Sequence, residues 1–118
     1  MNFDTIREYC LKKKGVTEGF PFDEETLVFK VMGKMFALTN LTPPRIINLK
    51  CDPERAIELR EEHENIRPGW HMNKKHWNTL DLEGRLKTTL IKDLIDHSYQ
   101  LVVEGLPKKE KEKLEKIK

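Results

Sequence analysis

The sequence predicts an α+β domain in which helices pack on one face of an antiparallel sheet, and three observations carry that prediction. Two β-branched and aromatic runs flank a glycine turn at Gly33, an Asp-Pro pair starts a helix directly after a third such run, and one long apolar stripe at helical spacing lies near the C-terminus. The predicted order is α-β-β-β-α-β-β-α.

The first helix rests on Phe3, Ile6 and Cys10 at i, i+3 and i+7 within Asn2 to Lys14, with Lys12 to Lys14 at its negative end and Gly15 as its stop. Thr26 to Met32 and Met35 to Thr39 form the first two strands, and Gly33-Lys34 is expected as the two-residue turn between them. Leu27, Phe29 and Val31 share one face of the first strand, and Phe36 and Leu38 are expected to share one face of the second. Pro43-Pro44 forces an extended entry into the third strand, Arg45 to Cys51. Asp52 then caps a helix with Pro53 in its first position, running to about His63 with a narrow apolar side of Ala56, Ile57 and Leu59.

Arg67 to Trp70 and Trp77 to Leu82 read as extended, joined by a turn at Met72 to Lys75. From Thr88 to Glu104, Leu90, Ile91, Leu94, Ile95, Ser98, Leu101 and Val102 make a continuous helical stripe, closed by Gly105 and Pro107. One domain over residues 1–107 is expected. Residues 108–118, KKEKEKLEKIK, offer two apolar side chains and are expected as a frayed helical or disordered, flexible tail.

Composition bounds the function. The 118 residues fit one domain of the usual size, about 100 to 150 residues. At 36% charged residues the chain exceeds the average of about 25% for soluble proteins, and no apolar run approaches a membrane span. The formal charge is only +2, and the last eleven residues hold a surplus of +3, so the body is nearly neutral. Its signs are nevertheless segregated. Residues 26–51 contain Lys30, Lys34, Arg45 and Lys50 with no acid, and residues 65–80 contain Arg67, Lys74 and Lys75 with no acid, whereas Asp52 to Glu64 holds six acids. Two cysteines without CxxC spacing, and no secretory leader pattern, lead us to expect a reduced, cytoplasmic protein.

Catalytic motifs are not found. Ser98 is the only serine and lacks a glycine elbow, so its hydroxyl is expected on a carbonyl of its own helix. Cys10 and Cys51 lie on apolar sides and read as small core residues. The four histidines show no HExxH pairing, no phosphate loop of either common pattern is present, and Glu61, Glu62 and Glu64 read as a solvated helix side. We expect no catalytic residue, no cofactor and no metal, and no enzyme.

One segment differs in kind. Arg67 to Thr79 combines Arg67, Lys74, Lys75, His71, His76, Trp70, Trp77, Asn73 and Asn78 without an acid. That mixture suits phosphate contacts from the cations with stacking or amide contacts to bases. The competing reading makes Trp70 and Trp77 core anchors, Pro68-Gly69 and Asn73 turn residues, and Lys74-Lys75 a solvated turn tip.

The strings Gly19-Phe20-Pro21-Phe22, Phe29-Lys30-Val31, Gly33 to Ala37, Leu49 to Pro53, Arg67 to Thr79 and Asp96 to Tyr99 resemble the MmcQ/YjbR family of small bacterial proteins. The resemblance implies a two-layer α/β sandwich similar to type III secretion chaperones and CyaY, and a double-wing, DNA-binding role. By that resemblance the wings are the Gly33-Lys34 hairpin and the turn Asn73-Lys74-Lys75-His76. His71, Trp77 and Arg67 lie beside the second wing, and Lys30, Arg45 and Lys50 are flanking phosphate contacts. DNA is thus the expected partner. The alternative is a protein-interaction or chaperone-like module that binds a protein partner or a second copy, and a third reading is a small-molecule pocket around Trp70, His71, Asn73, His76 and Trp77.

Overall fold

A computed structural model describes residues 1–69 and 72–117, so the expectations for Trp70 and His71 lie outside the described residues. The chain runs α1 (Phe3–Leu11), β1 (Val16–Gly19), β2 (Thr26–Val31), β3 (Lys34–Asn40), β4 (Ile46–Lys50), α2 (Pro53–Glu62), β5 (Ile66–Pro68), β6 (Trp77–Asp81), α3 (Thr88–Glu104) and α4 (Lys108–Glu115). The six strands form one antiparallel sheet in the order β1-β2-β3-β4-β6-β5. This is the predicted α+β fold, with one strand and one helix added to the predicted order.

The local chemistry explains the boundaries. Asn2 caps α1 by accepting the Thr5 N–H at 2.8 Å, and Thr5 returns the bond by accepting the Asn2 N–H. The helix ends at Leu11, earlier than expected, and Gly15 serves the following turn at φ 71° instead. Val31 pairs with Lys34, so the hairpin loop is Met32-Gly33 and not Gly33-Lys34. Both loop residues have positive φ, 48° and 83°, as the tight turn matching strand twist requires.

Ala37 faces Phe29 while Met35 faces Lys30, which leaves Phe36 as the extra residue of a β-bulge. The bulge resets the alternation. Phe36 therefore joins the core beneath the helices while Leu38 points to the opposite face, and the expectation that they share a face does not hold.

On the helix side, Ile6, Phe29, Phe36, Ile47, Leu49, Leu80, Ile91 and Ile95 form the principal core. Cys10 and Cys51 belong to it, and burial pushes their thiols up to about 12 and about 11. The opposite face carries a smaller apolar cluster of Val28, Leu38 and Trp77, with Met35 and Met72 packed against it. No described helix is long and apolar enough to cross a membrane.

The segment expected as a frayed or disordered tail is helix α4. Leu114 is buried, and the space beside Gly15 receives it: a Cβ there would stand 2.7 Å from Leu114 Cδ1. Two apolar residues suffice because they meet a glycine rather than open solvent.

Candidate functional site

Strand direction brings two turns to one end of the sheet. β2 rises into Met32-Gly33, β4 ends at Lys50, and Lys50 faces Trp77 at the start of β6, so the turn from Met72 to His76 lies at the same end as the hairpin. Three strand spacings, about 14 Å in all, separate the two turns. Lys30 and Lys50 lie between them on the face away from the helices, each half-buried, while Lys34, Lys74 and Lys75 are exposed. No ion pair forms on these five lysines among the described residues.

The turn from Met72 to His76 is built from inside. The Asn73 C=O accepts the Trp77 N–H at 2.9 Å, and Asn73 Oδ1 accepts the Lys75 N–H at 2.9 Å. The His76 C=O accepts the Cys51 N–H at 2.8 Å, tying the turn to the end of β4. Arg60 of α2 fastens it from the helix side: Nε donates to Asn78 Oδ1 at 2.6 Å, and Nη2 donates to the carbonyls of Lys74 and Trp77. Nothing in the sequence marks Arg60, which shares its helix with four acids and reads as one more surface charge.

The predicted contact residues therefore divide. Lys30, Lys34, Lys50, Lys74 and Lys75 gather at the hairpin end, whereas Arg45 sits at the far end of β4, where its C=O accepts the Leu82 N–H. Arg67 is exposed on the edge strand β5, opposite Thr79. Asn73 spends its side-chain oxygen within the turn, and His76 is half-buried. Trp77 is 8% exposed and packs against the smaller cluster, so its ring is not an open stacking platform. His71 lies outside the described residues.

Two clefts lie on the same face. One, of about 550 Å³, is bounded by Phe22, Glu25, Leu38, Ile46 and Met72; the other, of about 590 Å³, by Pro44, Ile46, Arg67, Pro68, Lys74 and Thr79. They meet at Pro44 and Ile46. Neither is centred on Asn73, His76 and Trp77, where the sequence placed a small-molecule pocket. No group of three or more His, Cys, Asp or Glu side chains is placed to hold a metal among the described residues.

The YjbR family model matches residues 11–101, which include all six strands and most of α3. The chain belongs to the YjbR family. It is 37% identical to the YjbR protein of Escherichia coli strain K12 over 115 residues, covering 97% of each chain. It is 39% identical to the Bacillus subtilis protein YyaQ over 75 residues, 64% of this chain and 63% of YyaQ. Among solved structures, the Deinococcus radiodurans protein DR2400 superposes with a TM-score of 0.87 at 45% identity, over 94% of this chain and 86% of that one. A Pseudomonas syringae protein follows with a TM-score of 0.73 at 31% identity, over 86% and 98%. The YjbR match ends before α4, so the docking of Leu114 lies outside the matched segment.

Proposed function

We propose that this YjbR-family chain is a non-enzymatic, cytoplasmic protein that binds duplex DNA through the hairpin end of its sheet. The observation that carries the reading is the convergence of two turns at one edge, with Lys30, Lys34, Lys50, Lys74 and Lys75 around them and no acid paired to any of the five among the described residues. Cations spaced along an edge suit phosphates, which carry affinity but no sequence information. The spacing between the turns is comparable to a major groove about 12 Å wide. Trp77 is buried, so this binding is backbone contact rather than base stacking.

The test is fluorescence anisotropy of a labelled duplex at several salt concentrations. Replacing Lys34 and Lys75 by Ala weakens binding regardless of sequence and lowers the slope of log affinity against log salt by about one to two units. Replacing the exposed Lys108, Lys109 and Lys113 of α4 by Gln leaves that slope unchanged. The converse pattern, loss with the α4 variant and none with the hairpin-end variant, would overturn the proposal. Phe20 and Phe22 are exposed at the other end of the sheet, so a protein partner or second copy docking there would leave the lysine variants without effect.

A further inference from the structure

The open face of the sheet holds a groove of which the nucleic-acid reading uses only Lys74. Its two lobes, about 550 and 590 Å³, share Pro44 and Ile46, and each falls within the range of small-molecule sites. The floor of the first lobe includes Leu38 and Ile46, with Met72 at its side, and the walls of the second include Pro44 and Pro68. A largely apolar channel therefore crosses the strands.

Its ends carry opposite charge. Arg67 and Lys74 line the second lobe and have no ion pair among the described residues; Lys74 Nζ reaches the Gly69 carbonyl at 3.3 Å and keeps its other donors. Asp23 and Glu25 border the first lobe. Between them, Asn48 is 9% exposed and lines the groove. Its Oδ1 accepts the Thr79 hydroxyl, which fixes the amide within the groove.

We propose that this groove binds a small monocarboxylate with an apolar body, its carboxylate on Arg67 and Lys74 and its chain across Ile46 toward Leu38. Two neighbouring cations suit a carboxylate, with Arg supplying a forked donor. The apolar channel suits an alkyl or aryl body, and the acids at the far end disfavour a second anionic group. Lys74 is shared with the proposed DNA edge, but the proposal does not rest on DNA binding, and its test uses no nucleic acid.

Decanoate below its micellar concentration is the probe, with decanol and decanedioate as comparisons. Binding is followed by amide chemical shifts of the whole chain. Decanoate shifts residues 44–48, 67–69 and 74–79 and binds more tightly than either decanol or decanedioate. Arg67→Gln and Lys74→Gln, both at exposed positions, each weaken decanoate about tenfold and leave decanol unchanged. Equal affinity for decanoate and decanol, undiminished binding by both variants, or shifts confined to other surfaces would overturn the proposal.

Discussion

Ser98 shows how one side chain can complete a sheet. The bulge at Phe36 lies in the pairing of β2 with β3, and the pairing of β3 with β4 starts at Ala37 and Leu49, so Phe36 and Lys50 fall just outside it. From α3, the Ser98 hydroxyl donates to the Phe36 carbonyl at 2.5 Å and accepts the Lys50 N–H at 2.8 Å. The sequence had placed this hydroxyl on its own helix; its partners lie 62 and 48 residues away, a distance that no local pattern encodes. Ser98→Ala leaves two buried backbone groups unpaired and costs about 1–3 kcal/mol, read as a lower urea midpoint at unchanged slope. A loss indistinguishable from zero would mean that Phe36 and Lys50 find other partners. Arg60 teaches the same lesson at the candidate site, since its worth comes from the carbonyls it meets and not from its own helix. The candidate cations were legible for the opposite reason. Acid-free stretches are visible in the sequence, and the strand pairing then decides which of those cations become neighbours, gathering Lys50 and separating Arg45.

At the scale of elements, long and strongly periodic segments were readable and short ones were not. α3 spans Thr88–Glu104 as its stripe predicts, and Asp52-Pro53 opens α2 as expected. β1 escaped because Val16-Thr17-Glu18-Gly19 offers one apolar residue; it is held by pairing with β2 and by the Arg7 to Glu18 ion pair from α1. α4 escaped because its docking depends on a glycine nearly a hundred residues earlier in the chain. Leu114 is its one buried side chain, so Leu114→Ala detaches α4 from Gly15 and Met32 while the sheet and α3 persist. Hydrogen exchange is the check: amides of residues 110–117 lose protection and those of Phe29, Ile47 and Ile95 keep theirs. Uniform loss across the chain would make α4 part of the cooperative core. Gly15→Ala acts on the same contact from the other side, with added strain from a positive φ.

For the molecule as a whole, one helix-covered face and one open face divide structure from recognition. Titratable groups in or against the covered layer set the alkaline limit of stability. Cys10 is pushed from 9.0 to about 12 and Cys51 from 9.0 to about 11, each mainly by burial; Tyr9 is pushed from 10.0 to about 12 by burial and by its hydrogen bond to Asp96. All three are raised in the fold. Their contribution is complete below the ordinary values of 9.0 and 10.0 and declines as pH climbs toward about 12, because the unfolded chain ionises first. The acid limit has the opposite sign. Glu18 is held below 4.5 by the Arg7 guanidinium, and Asp23 below 3.8 by the N–H groups of Glu25 and Thr26, so what they contribute is present above those values and fades beneath them. His97, held below 6.5 mainly by burial, begins the acid fall first, so the urea midpoint forms a plateau from about pH 7 to about pH 9 and falls on both sides. Cys10→Ala flattens the alkaline fall, as does Cys51→Ala, without moving the acid one. An alkaline limb unchanged in both variants would assign it to Tyr9 and Tyr99 alone. Exposed charge contacts are screened by salt whereas buried ones are screened much less, so salt is the variable that separates binding at the hairpin end from the stability of the fold.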